Sequence, residues 1–181
     1  MKTIVSIDVE TDGSIPPQNS MLSLAAIAYN LKGEELSVFS QNLKPLPMAV
    51  QDKRVMDWWK DYPEAWEKTT RNQQEPHVVM NRYVEWYAQF QKPAMFAAPV
   101  AFDFLWLRWY IYQFTKGYSG VIWHRALDLR SVIFALTGDF EGEYRELFVD
   151  HHITNPLPHV AINDAREQAE YLFAALKLRP F

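Results

Sequence analysis

The chain has 181 residues, of which 49% are hydrophobic and 15% aromatic, a composition typical of one folded domain over residues 1–181. The absence of cysteine excludes disulfides, zinc–thiolate sites and cysteine nucleophiles. The formal net charge of −4 argues against a broad electrostatic surface for long duplex nucleic acid. The apolar run after Met1-Lys2 is too short for a signal-peptide core, and no run could span a bilayer, so we expect a cytoplasmic protein without membrane contact.

The first predicted strand runs into a pair of acids. Residues 4–10 are rich in β-branched side chains, and a glycine turn follows at Gly13. Because side chains alternate along a strand, Asp8 and Glu10 share one face, and Val5, Ile7 and Val9 share the other. Two carboxylates this close raise each other's pKa, and a bound cation would relieve the repulsion. From this pair alone, a metal site and two ordinary surface or turn-capping acids are equally good interpretations.

Two further strands are predicted before any helix. They cover residues 21–29 and 35–43, and the hairpin-type turn Leu31-Lys32-Gly33-Glu34 joins them. The next section has helical periodicity in three stretches, and a short buried strand follows at residues 94–98. The three predicted helices cover residues 54–61, 63–70 and 76–90.

The second half of the chain alternates between helices and strands. The helix predicted over residues 101–114 is apolar on nearly all sides, so we expect it to be buried. Residues 121–123 are a candidate fifth strand, and Asp128 is expected to cap a helix over residues 127–136. Residues 138–155 predict only a short helix and a loop, and residues 161–176 predict a final amphipathic helix. A meander followed by alternating strands and helices indicates an α/β fold with a mixed sheet.

Asp103 is an acid between two phenylalanines, Phe102 and Phe104, just past the strand at residues 94–98. A charged carboxylate cannot remain in such apolar surroundings without a partner. One interpretation is an acid at a helix N-terminus that complements the helix dipole, which is common. The other is a member of a site at the end of the sheet, and the presence of Asp8 and Glu10 favours it.

His159 and Asp164 lie close together near the end of the chain. Pro156 and Pro158 are expected to keep His159 on a loop, whereas Asp164 falls in the first turn of the last helix. A loop histidine could then lie over the acid. Alone, His159 would be interpreted as a surface or capping histidine. Beside four acids and with no cysteine in the chain, it is the only well-placed general base.

The ordered set Asp8-x-Glu10, Asp103 and His159-x4-Asp164 resembles the DEDDh branch of the 3′–5′ exonucleases, which includes RNase T and oligoribonuclease. The resemblance extends from residue 3 to about residue 176. It implies a ribonuclease-H-like fold, with a central mixed five-stranded sheet flanked by helices. The segment Asp57-Trp58-Trp59 resembles, more loosely, the exoribonuclease AS type and certain phage exonucleases.

The resemblance also implies the roles of the acids and the histidine. Asp8, Glu10 and Asp164 would bind two Mg²⁺ or Mn²⁺ ions, Asp103 would help to hold the second ion, and His159 would deprotonate the attacking water. The residue types agree with this chemistry, because magnesium prefers oxygen ligands. Two ions about 4 Å apart can activate a hydroxide and stabilise a leaving oxygen.

Seven further residues are candidate substrate contacts. Three of them also have ordinary interpretations as turn or core residues, and the others are aromatic residues that could stack on bases or form a wall of a base pocket. Adjacent residues on a helix point about 100° apart, so we expect at most one of Trp58 and Trp59 to face substrate. The seven are Thr11, Asp12, Met21, Trp58, Trp59, Phe102 and Phe104.

We therefore expect a metal-dependent 3′–5′ exonuclease that releases nucleoside 5′-monophosphates from single-stranded nucleic acid, with RNA slightly favoured over DNA. One alternative is a non-catalytic nucleic-acid-binding module on the same fold, for which the loss of an acid would be typical. The other is a phosphohydrolase of small nucleotides that uses the same metals. By analogy with relatives, the surplus of aromatic residues also allows a homodimer.

Overall fold

The computed structural model describes residues 2–116, 126–138, 144–151 and 153–177. Three strands come first and three helices follow, after which strands and helices alternate as far as Thr137, and Val149–His151 forms a 3₁₀ turn before the last helix. The strands are β1 (Thr3–Thr11), β2 (Met21–Asn30), β3 (Glu35–Asn42), β4 (Ala94–Ala97) and β5 (Ala126–Asp128). The helices are α1 (Lys53–Trp59), α2 (Pro63–Thr70), α3 (Pro76–Tyr87), α4 (Val100–Phe114), α5 (Leu129–Thr137), α6 (Tyr144–Leu147) and α7 (Ala161–Lys177).

The five strands form one mixed sheet in the order β3-β2-β1-β4-β5. The first three strands form an antiparallel meander, and β4 and β5 continue the sheet in parallel with β1. In the register of the β1–β2 pair, Asp8 lies opposite Ala25 and Glu10 lies opposite Ser23. The predicted mixed five-stranded sheet flanked by helices is therefore confirmed.

Each face of the sheet is covered by helices, and β1 contributes to both layers because its side chains alternate. On one face, Val5, Ile7 and Val9 are buried in the main core with residues of α3 and α4. On the other face, Ala25 and its neighbours on β2 pack against small residues of α7, such as Ala165. The acids of β1 belong to this second face, so α7 is the helix that lies above them.

Most predicted elements are present, although several boundaries differ by a few residues. The helix α1 begins at Lys53 because Asp52 caps it, accepting hydrogen bonds from the amides of Arg54 and Val55. The prediction that the helix at 101–114 is buried was wrong for part of its surface. One face of α4 is buried, but Leu105 and Tyr112 are 50% and 71% exposed, because this helix forms an outer layer against α3 and the sheet.

The fifth described strand is β5, whereas the predicted strand at residues 121–123 lies outside the described residues. The helix predicted from residue 127 begins at Leu129, with Asp128 as its cap. The carboxylate of Asp128 accepts hydrogen bonds from the amide of Ser131 in α5 and from the amide of Val100 in α4. Asp128 thus caps two helices.

None of the helices that the structure describes is both long enough and apolar enough to cross a membrane.

Candidate metal centre

Asp8 and Glu10 lie near the end of β1, beneath the start of α7. The hydroxyl of Ser6, on the same face of β1, donates a hydrogen bond of 2.7 Å to the carbonyl of Ala165. This bond holds the first turn of α7, which carries Asp164, over the strand. One carboxylate oxygen from each of Asp8, Glu10 and Asp164 lies within 4.8 Å of the other two. The fold therefore brings together three acids from opposite ends of the chain.

Asp103 approaches the same place from the first turn of α4 and is only 3% exposed. Its Oδ1 accepts a hydrogen bond of 3.1 Å from the amide of Val9, the residue between Asp8 and Glu10. This amide is available because β4 pairs with β1 only as far as Ser6. The short length of β4 thus leaves a position at the end of the sheet that the carboxylate of Asp103 fills.

Burial raises the pKa of all four carboxyl groups, and neighbouring negative charges raise each of them further. Burial raises the pKa of Asp8 and of Glu10 well above the usual range, and the neighbouring negative charges raise both further. Burial also raises the pKa of Asp103 to about 7, although the hydrogen bond from Val9 opposes the shift. The pKa of Asp164 is raised by burial as well, against the hydrogen bonds from Asn155 and His159. Near neutral pH, it is therefore unfavourable for all four carboxyl groups to be negatively charged at once without a cation.

The donor atoms fit a hard divalent cation. The carboxylates of Asp8, Glu10 and Asp164 offer only oxygen atoms, the ligands that Mg²⁺ and Mn²⁺ prefer. They lie within a mostly buried cluster, and a cation there would offset both the cost of burying these carboxylates and the repulsion between them. Asp103 keeps one carboxylate oxygen on Val9 and has its second oxygen for a ligand or a bound water.

His159 lies at the edge of this cluster on the loop before α7. Its backbone has φ of +63°, in the left-handed region, and its amide donates a hydrogen bond of 2.9 Å to Oδ2 of Asp164. Its imidazole packs edge-on against Trp58 and Tyr62, with ring centroids 4.6 Å and 4.3 Å apart. Partial burial lowers the pKa of His159, although the charge of Asp164 opposes this. The ring is therefore neutral near pH 7 and able to accept a proton.

The structure gives the two adjacent tryptophans different environments. Trp59 is 2% exposed, and its indole nitrogen donates a hydrogen bond of 3.0 Å to the carbonyl of Thr11. Trp58 is 38% exposed and lies between Trp59 and His159. A cleft of about 400 Å³ beside it is lined by Ser14 and Arg54, among others. Trp58 is thus the tryptophan with a face available to a ligand.

The other five candidate contacts are mostly engaged within the fold. Thr11, Asp12 and Met21 are 7%, 1% and 0% exposed. The hydroxyl of Thr11 donates to the carbonyl of Gly13, and the carboxylate of Asp12 accepts from the amide of Ser20. The side chains of all three are therefore structural in this conformation. Phe102 and Phe104 are half-buried and pack against the main core on either side of Asp103 in the sequence.

Sequence reasoning missed three residues beside the acids. Nδ2 of Asn155 donates hydrogen bonds to Oδ1 of Asp164 at 2.5 Å and to Oε2 of Glu167 at 2.8 Å. Nε of Arg145 donates to Oε1 of Glu167 at 3.0 Å. Glu167 could have been found, because it follows Asp164 by one helical turn. Asn155 and Arg145 come from a segment without periodicity, so no pattern in the sequence indicates them.

No protein-family model and no curated protein matches the sequence, but solved structures match it over nearly its whole length. Exonuclease I of E. coli, in complex with a dA16 oligonucleotide, matches 99% of this chain with a TM-score of 0.79 and 16% identity. Exonuclease I of Methylocaldum szegediense matches 98% with a TM-score of 0.74 and 16% identity. Pop2p of S. pombe, in a Mg²⁺- and Mn²⁺-bound form, matches 94% with a TM-score of 0.72 and 12% identity.

The share of the matched protein that this chain covers differs between these structures. This chain spans about two fifths of the exonuclease I chains, 42% and 40%, but 81% of the Pop2p chain. At these identities the matches concern the fold. The chain has the ribonuclease-H-like architecture of these proteins, as the sequence predicted.

Proposed function

We propose that this chain is a metal-dependent 3′–5′ exonuclease that releases nucleoside 5′-monophosphates from the end of single-stranded nucleic acid. The observation that carries the proposal is the cluster of Asp8, Glu10 and Asp164, whose ligand atoms lie within 4.8 Å of one another. Asp103 and His159 border the cluster. The fold supports the proposal, because exonuclease I has the same architecture and binds an oligonucleotide.

The proposed cofactor is a pair of Mg²⁺ or Mn²⁺ ions. Asp8, Glu10 and Asp164 would hold the ions, and Asp103 would assist through its second carboxylate oxygen. When bound, the ions supply Lewis-acid stabilisation of negative charge at the reacting phosphodiester. Pop2p binds these two metals, and a zinc-bound form of E. coli exonuclease I exists, so divalent ions occur in similar folds.

His159 is the proposed general base. Its imidazole is neutral near pH 7 because partial burial lowers its pKa. It would take the proton of the water that attacks the phosphorus atom, while the bond from phosphorus to the 3′-oxygen breaks. The leaving 3′-oxygen then gains a proton, and the products are a nucleoside 5′-monophosphate and a strand shortened by one nucleotide. The contacts with Trp58 and Tyr62 keep the ring at the edge of the acidic cluster.

Trp58 is the proposed stacking surface for the terminal base. Its exposed face borders a cleft of about 400 Å³, and its ring contacts that of His159. Phe102 or Phe104 would form a wall of the base pocket, and Thr11, Asp12 and Met21 would shape the pocket from the interior. The tryptophan pair favours RNA by resemblance, whereas the oligonucleotide bound to exonuclease I is DNA. Both substrates therefore belong in the test.

The proposal also includes a cytoplasmic location, in keeping with a chain that has no cysteine.

We further propose that the protein forms a homodimer. The edge strand β3 carries two exposed apolar side chains, Leu36 and Val38, which are 40% and 44% exposed and could contribute to an interface. Analytical ultracentrifugation would detect the dimer.

The test uses 5′-labelled single-stranded RNA and DNA of matched sequence, incubated with the protein and Mg²⁺ or Mn²⁺. We expect a ladder that shortens from the 3′ end and disappears in chelator and with the Asp8→Asn variant. Intact substrates with a folded protein would overturn the proposal. Binding without cleavage would indicate a binding module, and hydrolysis of small nucleotides alone would indicate a phosphohydrolase.

A further inference from the structure

A polar cleft of about 400 Å³ lies on the sheet face that carries the acids, on the β2–β3 side of the candidate metal centre. The end of α2 and the start of α7 border it, and β2 and β3 also contribute to its lining. The cleft borders the metal centre at two points. Ser23 is the cross-strand partner of Glu10, and Val160 directly follows His159. Because opposed residues of paired strands are about 5 Å apart, a chain bound at the acids reaches this cleft without a gap.

The charge of the cleft is opposite in sign to that of the whole chain. Lys68 and Arg71 line it, and no carboxylate does so within the described part of the chain. The whole chain has a net charge of −4. Lys68 has only a loose ion pair with Glu64, at 3.5 Å, with the Glu64 side chain 68% exposed, and Arg71 forms no ion pair with the residues that the structure describes. Both cations are therefore available to an anionic ligand.

The scaffold beneath these cations is fixed. Nδ2 of Asn42 donates hydrogen bonds of 2.7 Å to the carbonyl of Lys68 and 2.8 Å to the carbonyl of Arg71. The end of α2 is thereby tied to strand β3, and two of its carbonyl oxygens are occupied. The negative end of the helix dipole is weakened as a result, so it repels an anion at this position less, and the attraction for an anion comes from Lys68 and Arg71.

Thr69, between the two cations, provides an independent sign of a missing partner. It lines the cleft and is 1% exposed, and its hydroxyl has no hydrogen-bond partner within the described residues. A buried hydroxyl without a partner has lost its hydrogen bonds to water and gained none in return, so it destabilises the fold. A threonine inside a helix usually avoids this cost by bonding to the preceding turn, as Thr70 does with Trp66.

We propose that this cleft binds the sugar-phosphate backbone of a single-stranded nucleic acid on the 5′ side of the bond that is cleaved. The proposal rests on the proposed function for the identity of the ligand. A strand whose 3′ end lies at the acids must leave over an adjoining surface. Lys68 and Arg71 would contact its phosphates, and the neutral amides around them suit sugar and phosphate oxygens without reading bases. Neither the acids nor Trp58 is part of this surface.

The test compares the Lys68→Ala/Arg71→Ala variant with the wild-type protein on a dinucleotide and on a strand of about ten nucleotides. The dinucleotide fills only the site at the acids, so its kcat/KM is expected to be unchanged. For the longer strand we expect kcat/KM to fall about tenfold, and the slope of log K against log salt to decrease by about 1.4, or 0.7 for each lost phosphate contact.

The matched control is Lys2→Ala/Lys32→Ala, which removes the same charge from the opposite end of the sheet, next to the paired residues Thr3 and Asn30. It should behave as the wild type on both substrates. An unchanged kcat/KM and salt slope for the longer strand in the cleft variant would overturn the cleft proposal and leave the proposed function intact.

Binding of the labelled longer strand in chelator, where no hydrolysis occurs, separates the two proposals. In one outcome, the wild-type protein hydrolyses nothing and yet binds the strand more tightly than the Lys68→Ala/Arg71→Ala variant does. That result would overturn the proposed function and support binding of the strand in the cleft. A wild-type protein that neither binds nor hydrolyses the strand would overturn both.

Discussion

The backbone amide of His159 donates a hydrogen bond of 2.9 Å to the carboxylate of Asp164, so the proposed base and a proposed metal ligand are joined through the main chain. At His159 the backbone has a left-handed φ of +63°. Histidine, asparagine and aspartate adopt this conformation more readily than most residues. Because the backbone makes this contact, the imidazole is not used for it and packs against Trp58 and Tyr62 instead.

The substitution His159→Asn separates the role of the ring from that of the backbone. Asparagine tolerates the left-handed conformation and keeps the amide hydrogen bond to Asp164, so we expect the fold and the binding of Mg²⁺ to be retained. The loss of a general base should lower kcat by about 10²- to 10⁴-fold. Steady-state kinetics and calorimetric titration with Mg²⁺ would measure both. A kcat within a few-fold of the wild type would exclude His159 as the base.

The pH dependence of stability should change with metal. Burial and neighbouring acids raise the pKa of Asp103 from its usual 3.8 to about 7 and raise those of Asp8 and Glu10 as well. Between the usual and the raised pKa, the folded protein binds more protons than the unfolded one, so stability falls as pH rises.

In chelator we therefore expect Tm to decrease between about pH 4 and pH 7, and Mg²⁺ to restore it at pH 7. The Asp103→Asn variant, which keeps the oxygen that accepts from Val9, should show a weaker decrease in chelator. Thermal denaturation across pH would measure these differences. A Tm in chelator that rises over this range, or that Mg²⁺ leaves unchanged, would contradict the electrostatic account of the acids.

The two tryptophans should differ in what they contribute. Trp59 is buried and hydrogen-bonded to Thr11, so Trp59→Ala is expected to destabilise the fold by about 3–5 kcal/mol. Trp58 is 38% exposed, and Trp58→Ala should cost much less stability while weakening substrate binding by about 1–3 kcal/mol, the value of one stacked base. Urea denaturation and KM would measure the two effects. Equal loss of stability in both variants would show that Trp58 is a core residue.

Asn155 is expected to position Asp164 for metal binding. Its amide bridges the carboxylates of Asp164 and Glu167, so Asn155→Ala leaves two acids without their shared donor. We expect Mg²⁺ affinity to fall about 10- to 100-fold, as for other groups that orient ligands. Asn81→Ala is the matched control, because the side-chain amide of Asn81 bonds to the carbonyls of His77 and Phe114 and, within the described residues, to no acid. Equal Mg²⁺ affinity in the two variants, measured by calorimetry, would argue against this role.

Much of the fold was predictable because β1 and the first helices carry strong local signals. The alternation of β1 correctly separates its core residues from its acids, and Pro63 marks the first residue of α2. The burial of α4 was not predictable from its apolar sequence. A helix with apolar residues on all sides can be a core helix or an outer layer, and only the packing of α3 and the sheet distinguishes the two cases.

The proximity of the acids followed from their order along the chain and from where strands and helices end. The network around them did not. The contact of Asn155 with Asp164 and Glu167 depends on the path of a loop without periodicity. The packing of Trp58 on His159 depends on the angle between α1 and the loop before α7, which no local pattern encodes.

The most direct test of the central claim is the position of Mn²⁺ in crystals grown with a nucleoside 5′-monophosphate. We predict anomalous scattering peaks within coordination distance of the carboxylates of Asp8, Glu10 and Asp164, and their loss in the Asp8→Asn variant. Mn²⁺ absent from these carboxylates at saturating concentration, in crystals of protein that cleaves single-stranded nucleic acid, would contradict the account.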